Sequence, residues 1–310
     1  MKIIFWGTSH FATPSLEEVS CSGHEILSVV TQPDKKQGRH LELKPPPVKT
    51  KAVVLRLEVV QPEDIRSREF IEYLEEKKAD LFVIVSYGKI LPREILAIPK
   101  FYTINLHASL LPRYRGAAPI NWAILNGEQE TGLSIFKVTE RMDAGEIILQ
   151  KRIAIFENED AITLGERLSK EGARLLKEAI DLIEEGRAVL IPQDENEVSF
   201  APLLKKEDGR IDWNNPAVKI YNQTRALVPW PGSFCRWHNK LLKIWKTQVV
   251  EGSFLDAQYG EIVDINKDGF IVKTGQGGIL IKELQLEGGK RMSAEKFLLG
   301  HQLGKGELLT

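Results

Sequence analysis

Short β-rich runs alternate with helix-patterned segments through the first half of the chain, and this alternation restricts the possible fold more than any other feature. The run Leu81–Val85 is entirely apolar, and comparable β-rich runs occupy Lys2–Trp6, Glu25–Thr31 and Tyr102–Leu106. An unbroken apolar run is typical of a strand that is buried on both faces, as in a parallel sheet. The alternation therefore predicts right-handed βαβ units and an α/β fold with a doubly wound, mostly parallel, Rossmann-like sheet.

The pattern changes after Pro192, and a chain of 310 residues is long enough for two domains. The clearest helix, Ala161–Glu185, precedes the change and is stopped by Gly186. Five short segments with tight turns between them then predict a small OB-like β-barrel. Those segments are Ser233–Trp237, Lys240–Val249, Glu261–Ile265, Phe270–Thr274 and Ile279–Leu286. We expect a catalytic domain over residues 1–192, a polar linker over 193–209 and a C-terminal domain over 210–310.

Composition excludes several classes of protein. The 42 Lys and Arg residues nearly balance the 43 Asp and Glu residues, so a histone-like binder is disfavoured, although a local basic face is not excluded. Cys21 and Cys235 do not make a disulfide framework, and neither cysteines nor histidines have zinc-like spacing, so we expect no metal. No stretch approaches the roughly 20 apolar residues that span a bilayer. We expect a cytoplasmic protein without membrane contact.

A polar cluster follows the fourth apolar run. Asn105 and His107 are two residues apart at the end of this strand, so they share one face, and Asp143 follows later. Asn offers a donor that does not titrate, His can exchange a proton near neutral pH, and a carboxylate can fix the imidazole. No activated Ser or Cys nucleophile is evident. The set favours direct attack by a substrate amine on a carbonyl whose developing negative charge is stabilised by the side chains.

A structural role for each residue is the simpler interpretation when it is considered alone. Asn105 could cap a turn, His107 could fill a crevice, and Asp143 could begin the next segment. Their joint occurrence beside a loop rich in Pro, Arg and Gly favours the catalytic interpretation, because doubly wound folds bind ligands at the carboxyl ends of their strands.

The segment from Asn105 to Gly116, with the sequence Asn-Leu-His-Ala-Ser-Leu-Leu-Pro-Arg-Tyr-Arg-Gly, resembles the core motif of the 10-formyltetrahydrofolate-dependent formyltransferases. The segment Met142-Asp143-Ala144-Gly145 is similar to the aspartate loop of that family. Further matches run in order along nearly the whole chain, including Tyr87–Pro92, Gly116–Ile120 and Trp230-Pro231. They resemble most closely the members that formylate methionine carried by the initiator tRNA.

The resemblance implies specific roles. Asn105, His107 and Asp143 would be the catalytic residues, 10-formyltetrahydrofolate would be the co-substrate, and no metal would take part. Two segments would line the folate site. The residues implied in them are Ser86, Tyr87, Gly88, Ile90, Leu91, Pro92, Ser109, Leu110, Leu111 and Pro112.

Two segments depart from the neutral charge balance and suggest contact with RNA. Gln32–Lys51 has six basic and two acidic residues and no helical period, so we predict an irregular loop. Ser233–Val250 has four basic and no acidic residues, interleaved with aromatic residues, as in oligonucleotide-binding barrels. Solvated surfaces are the alternative explanation. The resemblance adds Arg39 as a residue important for recognition of the acceptor stem. The expected tRNA-binding residues are Lys35, Lys36, Arg39, Lys44, Arg236, Lys240, Lys243 and Lys246.

We therefore expect a monomeric enzyme that moves a formyl group from 10-formyltetrahydrofolate to the α-amino group of methionyl initiator tRNA. Two other functions stay open at this point. One is a folate-dependent formyltransferase that acts on an amino sugar or nucleotide amine, against which the basic segments argue. The other is an RNA-binding protein without activity, against which the intact Asn105, His107 and Asp143 argue.

Overall fold

The structure is a computed structural model that describes residues 1–37 and 42–310 and forms two compact units. The first unit contains Met1–Pro119, Glu130–Ala154 and Gly165–Ala201. The second unit contains Ile120–Gln129, Ile155–Leu164 and Pro202–Thr310. The domain limits at residues 192 and 209 stay a prediction from the sequence.

The helices and strands are numbered in chain order. Those up to residue 125 are β1 (Lys2–Gly7), α1 (Thr13–Ser20), β2 (Glu25–Val30), β3 (Lys35–Gln37), β4 (Glu42–Lys44), α2 (Pro47–Val54), β5 (Val59–Val60), α3 (Arg68–Glu76), β6 (Leu81–Val85), α4 (Arg93–Leu96), β7 (Tyr102–His107), β8 (Arg115–Gly116) and α5 (Pro119–Leu125). Those that follow are β9 (Glu130–Lys137), β10 (Ile147–Ala154), α6 (Ala161–Glu184), β11 (Phe200–Ala201), α7 (Ala217–Ala226), β12 (Ser233–Trp237), β13 (Lys240–Val250), β14 (Ile262–Asn266), β15 (Gly269–Lys273), β16 (Gly278–Leu286), β17 (Met292–Ser293) and α8 (Ala294–Gly300).

The first unit is built on a seven-stranded sheet in the order β10-β9-β7-β6-β1-β2-β5. The five strands from β7 to β5 in this order are parallel, which confirms the predicted α/β class with a mostly parallel sheet. Strands β9 and β10 extend the sheet with antiparallel pairing and were not predicted from the sequence. Edge strand β10 exposes Gln150–Arg152 at its centre while it buries Ile147 and Ile153, so its sequence lacks the continuous apolar run of its neighbours.

Burial on both faces explains the apolar runs. Strand β1 buries Ile3 and Trp6 completely, and all five residues of β6 are buried. The indole of Trp6 packs edge-on against the ring of Tyr87, with centroids 5.3 Å apart. Helix α6 is close to its predicted range, because the Asp160 carboxylate accepts the amide hydrogens of Ile162 and Thr163 as an N-cap.

The prediction of an irregular loop over Gln32–Lys51 is wrong in two places. Strands β3 and β4 pair as an antiparallel ribbon, and helix α2 begins at Pro47. Proline is well suited to the first turn of a helix, and α2 buries Val48 and Ala52, which are four residues apart on one face. Two apolar positions among lysines are too weak a period to recognise in the sequence.

The second unit contains an antiparallel sheet in the order β12-β13-β16-β15-β14, with β17 paired to β16. The predicted strands agree with the observed ones to within one or two residues. In the described part of the chain the edge strands β12 and β14 do not pair, so the OB-like barrel is partly open. Its core includes Trp213, Trp237, Phe270 and Phe297.

Residues 193–209, predicted as a linker, contain ordered elements. Strand β11 pairs in parallel with β8, with Phe200 opposite Arg115. Short 3-10 helices occupy Glu195–Glu197 and Lys206–Gly209. Among the described residues, we find no helix with both the length and the apolar character needed to cross a membrane.

Candidate active site

Two of the three predicted catalytic residues are carried by the central strand β7. Asn105 is opposite Ile84 of β6 and Phe136 of β9, and His107 is opposite Ser134 of β9. Alternation places both side chains on one face of the sheet, about 7 Å apart along the strand. Leu106 points to the other face, where it lies against Gly172 of α6. The apolar strand therefore fixes the positions of two polar groups at its carboxyl end.

His107 is only 6% exposed, and its ring is held by specific contacts. Its Nε2 lies 2.9 Å from the carbonyl oxygen of Tyr114. Because a carbonyl only accepts hydrogen bonds, Nε2 must carry a proton and donate it. Nδ1 is then the ring atom that is available for proton exchange, and it lies 3.7 Å from Oδ2 of Asp143. The Asp143 carboxylate therefore faces the Nδ1 edge of the ring, whereas the Tyr114 carbonyl oxygen holds the opposite edge.

Asp143 reaches the histidine from a tight turn between β9 and β10. Its φ angle is +49°, which is in the left-handed region that Asp tolerates better than most residues. Its Oδ2 accepts the backbone amide hydrogen of Gly116 at 2.8 Å, so one carboxylate oxygen faces both the imidazole and this amide. A Cβ on Gly145 would clash with the carbonyl oxygen of Lys137, so the close return of the chain after Asp143 requires glycine.

The predicted folate-binding residues belong to two loops that follow β6 and β7. These strands are parallel neighbours, so the structure brings both loops to the same edge of the sheet as Asn105 and His107. In the second loop, Ser134 Oγ accepts from the amide of Leu111 at 3.0 Å and donates to the carbonyl oxygen of Ser109 at 2.7 Å. Gln150 donates to the carbonyl oxygen of Leu111 at 2.8 Å. Leu111 packs in a small apolar cluster with Phe136.

In the first loop, the residues differ strongly in exposure. The Tyr87 side chain is 1% exposed in the core, where burial raises the pKa of its phenol to about 12. The carbonyl oxygen of Tyr87 accepts from Thr8 Oγ1 and Gln32 Nε2, each at 2.8 Å. Leu91 is also buried, whereas Ile90 is 73% exposed. Gly88 has a φ of +83° and is exposed, so Gly88 and Ile90 are the part of the loop that is most available to a ligand.

The cations of the first basic segment are on β3 and β4. Lys35, Lys36 and Lys44 are exposed, and Lys35 donates to Oε1 of Gln32 at 2.6 Å. Arg39 lies outside the described residues. Two further lysines of this segment have acidic partners, because Lys49 pairs with Asp34 and Lys51 with Glu17.

The predicted cations of the second segment lie on β12 and β13. Arg236, Lys240 and Lys246 are exposed, while Lys243 is half-buried with its Nζ 5.5 Å from the centre of the Trp245 ring. Arg291 lies over the same ring at 5.2 Å. The tryptophan is therefore covered by cations, and Trp237 is in the core.

The charge count of the segment Ser233–Val250 does not include acidic residues that other parts of the sheet bring next to β12 and β13. Glu283 of β16 is opposite Lys246 of β13 and accepts from Arg291. Glu287 accepts the backbone amide hydrogen of Leu241 at 3.0 Å. The surface therefore holds carboxylates among its cations, and Arg291 adds a further cation to those of β12 and β13.

Local sequence patterns did not indicate the residues that support the polar cluster of Asn105, His107 and Asp143. Ser134 and Gln150 are on the antiparallel strands β9 and β10, which were not predicted, and Gln193 is in the predicted linker. A polar residue inside an otherwise apolar strand, as Ser134 is between Leu133 and Ile135, was the only available signal. Across residues 1–37 and 42–310, His, Cys, Asp and Glu side chains form no group of three that could hold a metal.

Comparisons with known proteins give matches along most of the chain. Residues 1–180 match the model of the family described as formyl transferase, and residues 203–302 match the formyl transferase C-terminal domain. The methionyl-tRNA formyltransferase of Desulforamulus reducens is 44% identical over 309 residues, which cover 100% of this chain and 98% of the relative.

Solved structures share the fold at lower identity. WlaRD, a sugar 3N-formyl transferase determined in the presence of dTDP and 5-N-formyl-THF, is 21% identical with a TM-score of 0.67, over 91% of this chain and 96% of that one. HypX from Aquifex aeolicus in complex with tetrahydrofolic acid is 17% identical with a TM-score of 0.63, over 96% of this chain. The chain spans about half the length of HypX, at 47%.

Proposed function

The chain belongs to the formyl transferase family, and we propose that it catalyses the reaction for which its full-length relatives are named. It transfers the formyl group of 10-formyltetrahydrofolate to the α-amino group of methionyl initiator tRNA, and the product is formylmethionyl-tRNA for translation initiation. The observation that carries this assignment is the 44% identity to a methionyl-tRNA formyltransferase along the entire chain. The similarity to a sugar formyltransferase, at 21% identity, extends to the fold alone.

The residues beside β6 and β7 suit a folate co-substrate. The exposed Ile90 offers apolar contact to a flat pterin ring, and Gly88, two residues earlier, leaves its backbone amide and carbonyl groups open to hydrogen bonding. We assign the folate site to this loop and to the Ser109–Pro112 loop. When it is bound there, 10-formyltetrahydrofolate supplies an activated formyl carbon.

We assign the chemistry to the polar cluster on β7 and the Asp143 turn. The Asn105 amide donates a hydrogen bond to the formyl oxygen, which gains negative charge as the methionyl amine attacks. We place His107 at the same centre, where Nδ1 of its protonated ring donates to that oxygen. Asp143 stabilises the protonated ring from 3.7 Å. The bond between the formyl carbon and N10 of the folate then breaks, N10 takes up a proton, and tetrahydrofolate leaves. The excess proton of the amine leaves through a bound water, or through His107 once the ring has given up its Nδ1 proton.

We assign contact with tRNA to the exposed cations of both basic segments. Lys35, Lys36 and Lys44 are exposed on β3 and β4, and Arg39 is assigned from the sequence resemblance. On β12 and β13 the corresponding residues are Arg236, Lys240, Lys243 and Lys246. Phosphate contacts of exposed cations position RNA and make binding depend on salt.

Two further proposals concern the cellular location and the oligomeric state of the protein. Initiator tRNA is charged and used where translation begins, so we propose a cytoplasmic enzyme. We further propose that it acts as a monomer, which sedimentation of the purified chain tests.

The direct test is to incubate the purified chain with 10-formyltetrahydrofolate and methionyl initiator tRNA and to measure formylmethionine after hydrolysis of the ester. We expect multiple turnovers with charged tRNA and none with free methionine. Nucleotide-linked amino sugars, offered as acceptors in parallel, test the alternative. Formylation of an amino sugar without formylation of charged tRNA would contradict the proposal.

A further inference from the structure

Gln193 lies beside the turn that carries Asp143, although it is distant from it in sequence. Its Nε2 donates to the carbonyl oxygen of Asp143 at 2.8 Å and to that of Gly145 at 2.7 Å. These two carbonyl groups belong to the residues on either side of Ala144, so one amide group fastens both ends of the turn. Gln193 contacts no catalytic side chain in these interactions, and any influence on the reaction must pass through the Asp143 backbone.

The orientation of the Gln193 amide is set by a buried arginine. Arg115 is 3% exposed, and its Nε and Nη2 lie 3.1 and 2.8 Å from Oε1 of Gln193. A guanidinium group only donates hydrogen bonds, so the amide oxygen must face Arg115 and the amide nitrogen must face the two carbonyl groups. Arg115 is in turn held by Glu195, whose Oε1 is 3.1 Å from Nη2.

The Asp143 turn needs such support. Its left-handed φ of +49° costs on the order of 1 kcal/mol or more for a residue with a Cβ, and it persists only where neighbouring contacts maintain it. A small rotation of this residue would move Oδ2 away from both His107 Nδ1 and the Gly116 amide. Errors of about 1 Å in the placement of a catalytic group can lower turnover by roughly 10²-fold.

We infer that Gln193 is a positioning residue for formyl transfer, because it locks the Asp143 turn so that the carboxylate faces His107. The inference rests on the proposed function. Gln193 is the first residue of the predicted linker 193–209, so this segment would have a role in the reaction. In this arrangement the amide and the Arg115 guanidinium both bind other groups of the protein.

Two variants distinguish a positioning role of Gln193 from a role as hydrogen-bond acceptor for the buried Arg115. Gln193→Met keeps the length of the side chain but removes its hydrogen bonds. Gln193→Glu keeps an acceptor for Arg115 and adds an ion pair, but it turns a carboxylate oxygen towards the carbonyl groups of Asp143 and Gly145. A positioning role predicts that kcat falls in both, by roughly 10- to 100-fold, and that Glu is no better than Met. KM for each substrate should stay within about twofold of the parent value.

The same two substitutions at the exposed Gln129 serve as controls, with kcat expected to stay at the parent value. Turnover is expressed per folate site, counted by titration with tetrahydrofolate, so that an unfolded fraction does not enter kcat. If Gln193 only satisfied Arg115, the Glu variant would keep kcat near the parent value while the Met variant lost thermal stability. That result would overturn the inference.

A double-mutant cycle with Asp143→Asn tests whether Gln193 acts through Asp143. In the Asp143→Asn background we expect Gln193→Met to lower kcat less than about threefold, because the group being positioned is already lost. Full additivity of the two losses would contradict the inference. Both outcomes require a parent chain that formylates methionyl-tRNA, so a failure of the proposed function is seen first and separately, in the parent assay.

Discussion

The catalytic cluster on the first unit and the basic surface on the second are both polar, but they differ in how tightly their side chains are held. His107 has its two ring nitrogens facing a carbonyl oxygen and a carboxylate, and it is buried. Arg236, Lys240 and Lys246 are exposed to solvent. A buried hydrogen-bonded group acts in a medium of low dielectric, where its contribution is large, whereas an exposed charge is screened by water and salt. The contrast predicts that substitutions in the cluster reduce turnover, while substitutions on the surface change tRNA binding.

The largest effect that we predict is for Asn105→Ala. Removing a donor to a developing oxyanion typically lowers kcat by about 10²–10³-fold, and KM for tRNA should change less than about twofold. Steady-state kinetics with methionyl-tRNA provide the measurement. Asn266→Ala, an exposed asparagine in the second unit, is the control and should match the parent. A rise in KM for tRNA with an unchanged kcat would contradict the distinction between the two regions.

The next effect is for Gly145→Ala. The added methyl group would approach the Lys137 carbonyl oxygen far inside contact distance, so the Asp143 turn must shift and kcat should fall by roughly 10²-fold. Gly300→Ala is the matched control, because a Cβ there meets nothing within 4 Å. Equal kcat values for the two variants would show that the exact placement of the turn does not matter.

A smaller effect is expected from the combined change Lys240→Ala and Lys246→Ala. KM for tRNA should rise roughly three- to tenfold at low salt while kcat is retained, since exposed charges contribute up to about 1 kcal/mol each. The slope of log KM against log salt should decrease by about one per lost phosphate contact. Lys267→Ala, an exposed lysine in the turn between β14 and β15, is the control. If the slope of log KM against log salt were unchanged, these two lysines would not contact RNA phosphates.

The smallest effect, and one of opposite sign, is for Glu283→Gln. This residue pairs with Arg291 and is opposite Lys246, so its neutralisation makes the surface more positive. We expect KM for tRNA to fall about twofold at low salt, with no change at high salt. Glu166→Gln on α6 controls for the loss of one acidic side chain elsewhere. A rise in KM would indicate that the Glu283–Arg291 pair orders the surface and does not merely reduce its charge.

The difference between buried and exposed positions also explains which elements could be predicted from the sequence. The strands β1 and β6 were predictable because burial on both faces demands apolar residues. Strand β7 was predictable from its β-rich run, at whose end Asn105 and His107 stand out as polar residues. Strand β10 was missed because an edge strand tolerates charged residues such as Lys151 and Arg152.

Contacts between distant segments could not be predicted from local patterns. Nothing near Gln193 in the sequence indicates that it contacts Asp143, and nothing in β13 indicates that Glu283 is opposite Lys246. The loop predicted over Gln32–Lys51 contains α2 because Val48 and Ala52 find a partner surface only in the folded chain. Tertiary contacts decide such positions, and a single sequence does not display them.

The most direct test of the account compares two properties of His107→Ala, its turnover and its affinity for methionyl-tRNA. His107 is buried beside Asp143, and we assign tRNA binding to the exposed cations and not to this residue. We therefore predict that kcat falls at least about 10²-fold while the tRNA dissociation constant changes less than about twofold. Turnover equal to that of the parent chain, or an equal loss of tRNA affinity and turnover, would contradict the assignment of chemistry to this cluster.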